Sequence, residues 1–139
     1  MKSKKRKRKS TAKLLAELQV VFNRYIRLRD AGENCISCGK YMSQEEWSNA
    51  SHLFCVKGWS TLRFNEFNVN KSCVECNMTK EGNTVEYLKR LPDRIGQKNV
   101  DELLRLSREN RKVNFKWQRH EILEKIEYYK QKCKDYGND

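Results

Sequence analysis

The chain contains no run of about 18 consecutive apolar residues, which excludes a membrane-spanning helix in it. Its basic opening, Met1 to Ser10 (MKSKKRKRKS), is followed by alternating apolar and charged residues. A secretory leader needs a continuous apolar segment there, so secretion is not expected. No segment recurs at a structural period. Histidine is scarce, with only His52 and His120, so any imidazole chemistry rests on one of two positions. Proline is scarcer still, with Pro92 alone.

Positive charge is what the chain has in excess. Thirty Lys and Arg stand against 18 Asp and Glu, a formal net charge of +12 in 139 residues. Self-repulsion of that size destabilises a compact chain and marks a polyanionic partner: DNA, RNA or an anionic membrane surface. The tail 1–10 reads as a solvated charge run, a nuclear-localisation signal or an arm that neutralises phosphates, and the last is favoured. The length fits one domain with a modest core and helical extensions.

Thr11 can cap a helix running to about Ala31 and stopped by Gly32, with Leu14, Leu15, Leu18, Val21, Phe22, Tyr25 and Ile26 on one face. From Asn34 to about Asn83 the pattern breaks into short pieces, a loop-rich unit of short strands too small to stand without a staple. Helix returns over Thr84–Leu91, Pro92 is expected to break it, and a segment with Val100, Leu103, Leu104 and Leu106 follows. The polar stretch Ser107–Asn114 reads as a turn or mobile link. The last helix is expected over Trp117–Tyr136, with Ile122, Leu123, Ile126, Tyr129 and Cys133 on one side. That stripe suits packing on the first helix or on another copy of the chain.

Six cysteines carry the most specific signal. Four form two Cys-x-x-Cys pairs, Cys35 with Cys38 and Cys73 with Cys76, and without a secretory signal such pairs point to metal rather than disulfides. Each pair offers two thiolates from a tight turn, and together they complete the closed tetrahedral site of a structural Zn²⁺. Gly39 suits the turn that ends the first knuckle. A dithiol redox site would use one pair in a βαβ context. Cys55 and Cys133 read as small buried side chains. Zinc alone leaves two readings open, a binding module and a stapled catalytic hairpin.

Between the pairs lie Asn49-Ala50-Ser51-His52-Leu53-Phe54 and Leu62-Arg63-Phe64-Asn65-Glu66-Phe67-Asn68, with Asn77 directly after Cys76. This order resembles the HNH, or ββα-metal (His-Me finger), nucleases: a knuckle, a strand with the catalytic His, an Asn before the second knuckle and a His or Asn after its last Cys. A closer resemblance, from about Phe22 to Leu104, is to the phage NinG (Rap) recombination proteins. It is carried by Ile26-Arg27-x-Arg29-Asp30, Cys35-Ile36-Ser37-Cys38-Gly39, Ala50-x-His52, Leu62-Arg63-Phe64-Asn65-Glu66, Cys73-Val74-x-Cys76-Asn77, Gly82-Asn83, Tyr87 and Arg94-Ile95-Gly96-Gln97.

The resemblance implies a structure-specific endonuclease, phage-encoded and acting in the bacterial cytoplasm at the nucleoid, that cuts Holliday junctions or D-loops. It implies His52 as general base, Asn68 orienting it, and Asn77 with His52 and Asn49 around a catalytic Mg²⁺ or Mn²⁺. Many HNH nucleases place Asp directly before the catalytic His, where this chain has Ser51. NinG-like proteins often place Asp three residues before it, where this chain has Asn49. Glu66 or substrate phosphate could complete the ion's shell. The chemistry suits those residue types, because a neutral imidazole can take a proton from water near pH 7.

Arg63, Lys57, Lys71 and Lys80 flank this region and are candidate phosphate contacts, Arg63 foremost for its forked guanidinium. Trp47, Trp59 and Phe64 suit either base stacking or, the commoner role, core packing. His120, in a charged helical run, reads as surface. The expected protein is mainly α around a small zinc-stapled ββα-metal core, with flanking N- and C-terminal helices. Its organisation is a tail 1–10, a helix 11–32, a nuclease core 33–91 and a helical extension 92–139. Its expected partner is branched DNA, with no membrane and a possible homodimer. The rivals are a non-catalytic zinc module that binds DNA and an HNH nuclease acting on ordinary duplex.

Overall fold

A computed structural model describes residues 7–78, 83–110 and 114–137. Helix α1 spans Thr11–Arg29, strand β1 Asn49–His52, strand β2 Val69–Ser72, α2 Val74–Met78, α3 Thr84–Ile95, α4 Gln97–Asn110 and α5 Arg119–Gly137. A single 3-10 turn, Ser60–Leu62, interrupts the connection between the strands. The molecule is thus mainly helical with one small antiparallel sheet, in which Asn49 pairs Ser72, Ala50 pairs Lys71, Ser51 pairs Asn70 and His52 pairs Val69.

α1 begins one residue earlier than Thr11 capping would give. Ser10 is the cap, its hydroxyl accepting from the Lys13 N–H, and Asp30 rather than Gly32 closes the helix. The apolar stripe of α5 packs on α1. Phe22 meets Tyr129 edge-on at 4.9 Å, Tyr25 meets Tyr136 at 5.9 Å, and the Cys133 thiol faces the Val21 carbonyl. Arg119 bonds the Lys9 carbonyl at one end while Gly137 lies against Leu28 at the other, so the two helices run in the same direction. Phe64 and Val69 from the hairpin region complete this core. Burying a chain such as Phe22 stabilises by roughly 2–3 kcal/mol on area alone. The α5 stripe is therefore used within the chain, although Leu123, expected on it, is exposed.

A second core joins Ile36, Leu53 and Leu62 to Tyr87 and Leu91 of α3 and Val100 and Leu103 of α4. Pro92 does not break α3. The helix runs through it to Ile95 and ends at Gly96, whose φ of 86° is open to glycine. Proline forfeits one backbone bond there, but buried Leu91 and partly buried Ile95 hold the turn to the core. The polar stretch from Ser107 is helical as far as Asn110, and Ser107 and Asn110 are buried. Asn110 donates to the Gly58 carbonyl and accepts from the Thr61 N–H and hydroxyl, which explains a polar helix end turned inward. Residues 111–113 of that expected link lie outside the described residues, as do 1–6 of the basic tail.

Candidate metal centre and active site

The sulfurs of Cys35, Cys38, Cys73 and Cys76 all lie within 4.8 Å of one another, with Cys38 and Cys73 at 3.9 Å, and none is in a disulfide. A tetrahedral ion with metal–sulfur bonds of about 2.3 Å needs sulfurs about 3.8 Å apart. The surrounding backbone is arranged for thiolates. The N–H groups of Cys38 and Cys73 point at the Cys35 sulfur (3.5 and 3.3 Å) and that of Cys76 at the Cys73 sulfur (3.5 Å). Burial works against the Cys35 thiolate, but these amide donors bring its pKa down to about 7. Burial pushes Cys76 up to about 12, with the neighbouring thiols adding to the rise. The donor set fits a zinc ion, which would be held by all four cysteines and leave no open position.

The turn that carries the first pair requires Gly39. Its φ is 75°, and a Cβ there would meet the Arg90 guanidinium at 2.8 Å. Arg90 in turn donates to the Ser37 carbonyl at 2.6 Å, tying α3 to the knuckle. Met42 packs beside the cysteines. The remaining two cysteines divide: Cys133 is buried as expected, but Cys55 is exposed, because it starts a surface turn closed by the Trp59 N–H on its carbonyl.

His52 ends β1, and α2 packs against the same strand. The His52 Nε2 lies 2.9 Å from the Arg63 carbonyl oxygen. A carbonyl only accepts, so Nε2 carries the proton and the lone pair of the neutral ring is on Nδ1. Burial holds the imidazole pKa below the ordinary histidine value, and the charge of Arg63 acts in the same direction. Asn68 is fully buried, and its side-chain amide bonds Phe54 and Leu62 rather than His52. It accepts from the Phe54 N–H and donates to the carbonyls of Phe54 and Leu62, bracing the loop on which Arg63 sits. Its side-chain bonds reach the Arg63 loop, not the His52 ring.

Side chains alternate along a strand, so Ala50 and His52 share one face of β1 while Asn49 and Ser51 share the other. Asn49 is thus turned away from His52, and Ser51 is buried with no partner for its hydroxyl. Asn77 is the fourth of five residues in α2 rather than its first, with a partly exposed side chain. Glu66 is engaged elsewhere, accepting from the Tyr25 hydroxyl at 2.5 Å and the Tyr129 hydroxyl at 3.3 Å. Among the described residues no carboxylate joins His52 in a metal-binding group. A cavity of about 730 Å³ is lined by Arg29, Glu66, Arg94 and Tyr129 and not by His52.

The candidate phosphate contacts separate. Lys57 is exposed. Arg63 is half-buried with its Nε on Gln19 Oε1 at 2.8 Å. Lys71 is buried, its ammonium on the Ala31 carbonyl, and cannot reach a phosphate from there. Lys80 lies outside the described residues. Of the aromatics, Trp59 and Phe64 pack in the cores, whereas Trp47 is 63% exposed with Arg27 stacked 4.6 Å from its ring. His120 is exposed.

Arg29 and Asp30, which carried the resemblance without a role, prove central. Arg29 holds both Asp30 oxygens (2.7 and 2.9 Å) and the carbonyls of Glu66 and Val69 (2.8 Å each). Tyr87, fully buried, donates to the Ser51 carbonyl at 2.7 Å and accepts from Asn70 at 3.0 Å. These groups lock the hairpin to α1 and α3. Their only sequence signal was the resemblance, because each partner lies 36 residues or more away, apart from Tyr87's bonds to Asn70 and Asn68 at 17 and 19 and Arg29's to its neighbour Asp30.

The fold and site define a helical protein built on a four-cysteine hairpin able to hold a metal ion. The chain belongs to the NinG family: the model for "Bacteriophage Lambda NinG protein" matches residues 1–139. It is 38% identical over 124 residues to protein ninG of Escherichia phage lambda, covering 89% of this chain and 57% of that protein. The ninG proteins of Escherichia phage 933W (37% identical, 89% and 58% covered) and Salmonella phage P22 (36%, 87% and 56%) are similar to the same extent. The chain thus spans less than two thirds of the relatives it matches. No solved structure matches it. Among the described residues no helix is long and apolar enough to cross a membrane.

Proposed function

We propose that this protein is a metal-dependent endonuclease of the HNH type that cuts branched DNA, with His52 as general base and the four cysteines holding a structural zinc. The observation that carries this reading is the 2.9 Å contact between the His52 Nε2 and the Arg63 carbonyl. With Nε2 tied there, a basic Nδ1 is left on an imidazole kept neutral by burial. A strand bearing that His, an antiparallel partner strand and then a helix bearing Asn77, all fixed to one thiolate cluster, is the order the ββα-metal reading requires.

In the reaction, Nδ1 takes a proton from water as the water oxygen bonds to phosphorus and the bond to the leaving 3′ oxygen breaks. Arg63, whose Nε is held by Gln19, would offset charge on the phosphate oxygens through its remaining N–H groups. The divalent Mg²⁺ or Mn²⁺, when bound, stabilises charge on the scissile phosphate and leaving oxygen. With Nε2 on the Arg63 carbonyl and Nδ1 serving as the base, His52 has no nitrogen left for the ion; Asn77 would be a neutral ligand and Asn49 faces away, so the substrate phosphate would supply most of the ion's anionic coordination. The branched substrate rests on the resemblance noted in the sequence, and a pair of copies acting on a two-fold junction rests on symmetry.

The test is cleavage of a labelled four-way junction and a matched duplex, with Mg²⁺ or Mn²⁺, by wild type and His52→Ala. Junction-selective cutting that the substitution abolishes, with binding intact, is expected. Equal cutting of both substrates would keep the chemistry and remove the branched-DNA preference. Among the described residues His52 belongs to no cluster of metal-ligating side chains, which favours one rival, a zinc module that binds DNA without cutting it. That rival predicts binding and no cleavage with any divalent ion.

A further inference from the structure

A groove of about 530 Å³ runs beside Arg63, between the start of α1 and the segment 114–118 that leads into α5. Its lining includes two cations, Arg63 and Lys116, and no carboxylate. The chain has 18 acidic residues, and the groove contrasts with the cavity of about 730 Å³ beside Arg29, which holds Asp30, Glu33 and Glu66. Phe115 and Trp117 form an aromatic wall, their rings edge to face at 5.0 Å. Trp117 is fixed by Phe64 at 5.2 Å and by its indole N–H on the Ser60 carbonyl at 3.0 Å, so Phe115 packs against an anchored ring.

The basic stretch Lys7–Lys9 is held at the same end of the molecule, because Arg119 donates to the Lys9 carbonyl at 2.7 Å. The groove also shares Arg63 with His52, whose ring bonds that residue's carbonyl. Cations that track a backbone, combined with an aromatic wall that accepts any base face, suit single-stranded nucleic acid. A duplex hides its base faces and would use only the cations.

We propose that this groove binds a single strand of DNA adjoining the cut, with Lys116 and Arg63 on its phosphates and Phe115 stacked on an unpaired base. The inference rests on the nuclease reading for the word "cut", but the binding itself does not. It gives that reading a physical source of branch preference, since only a branched or opened substrate offers an unstacked strand beside the scissile phosphate.

The test is fluorescence anisotropy of a labelled oligodeoxythymidylate at physiological ionic strength, with an unlabelled duplex of equal phosphate number as competitor. Phe115→Leu, which keeps apolar volume and removes the ring, is expected to weaken oligonucleotide binding about five- to tenfold, the loss of one stacked base. Lys116→Ala is expected to weaken it and flatten its salt dependence by about one phosphate contact. Lys98→Ala, an equal loss of charge at the exposed start of α4, is the control. Lys116 is exposed, so its substitution leaves the fold intact even if the Phe115 variant is destabilised.

Wild-type affinity in both groove variants, or a loss no larger than that of Lys98→Ala, would overturn the proposal. So would equal competition by the duplex. His52→Ala is expected to bind the oligonucleotide as wild type does. A protein that cuts nothing but loses oligonucleotide binding through Phe115 and Lys116 would refute the nuclease reading and leave the groove standing.

Discussion

The backbone N–H of Lys71 donates to the carboxylate of Asp30 at 3.0 Å, 41 residues away, and the Arg29 guanidinium closes the other side of the same carboxylate. This joins the end of α1 to the middle of β2. Asp30→Asn keeps the shape but leaves Arg29 with a buried, uncompensated charge. Arg29 retains some solvent contact, which trims the penalty, and a loss of about 2–4 kcal/mol is expected. Urea unfolding followed by circular dichroism measures it. A change below about 0.5 kcal/mol would mean that the network is ornamental to the fold.

His52 should leave a signature in the pH dependence of stability. Its folded pKa is lowered by burial, whereas the unfolded chain titrates near about 6.5. Between those values the unfolded chain holds the proton and the folded chain does not. The stability contribution is therefore present above about pH 6.5 and declines as pH falls through that value towards the folded pKa. His52→Gln should flatten that decline in the denaturation midpoint. In a His120→Gln background, nitrogen-15 NMR should show the remaining ring protonated on Nε2 alone at neutral pH. Protonation on Nδ1 would remove the general-base assignment.

Removing the metal should act on the hairpin before the helices. Zinc bound by four thiolates contributes on the order of 10 kcal/mol of apparent binding free energy, far more than this small sheet can supply. Elemental analysis should find one zinc per chain. Cobalt substitution should give the red-region absorption bands of a tetrahedral thiolate site. Cys76→Ser, which removes a buried ligand, should release the ion and abolish cooperative unfolding of residues 35–78 by hydrogen exchange. A metal-free protein with unchanged melting would contradict the zinc reading.

Much of this architecture could be read from local pattern. Leu14, Leu18, Phe22 and Ile26 announce α1 by their spacing, and the two Cys-x-x-Cys pairs announce their own convergence because four thiolates have one common solution. What escaped depends on partners distant in the chain. Lys71 reads as a surface cation until the Ala31 carbonyl is placed over it, and Asn49 reads as a ligand until strand alternation turns it away. Pro92 reads as a breaker until Leu91 is seen to anchor its turn. Trp47 reads as core, yet it lies on the surface under Arg27. In each case tertiary packing outweighed a local rule worth only one or a few kcal/mol.

Asn110 shows the same effect and makes it measurable. It lies in a polar run that local pattern assigns to a link, yet it is buried at the end of α4. Its amide donates to the Gly58 carbonyl at 3.0 Å and accepts from the Thr61 backbone at 3.1 Å and from the Thr61 hydroxyl. The 3-10 turn at Ser60–Leu62 leads directly to Arg63, whose carbonyl orients His52. Asn110→Ala leaves those backbone groups unsatisfied and should cost about 1–3 kcal/mol of stability. If the turn also positions Arg63, Asn110→Ala should lower turnover of a cut junction more than it weakens junction binding, although Asn110 itself lies in α4. Lost stability with unchanged turnover would confine Asn110 to the fold and leave the turn free to hold Arg63 without it.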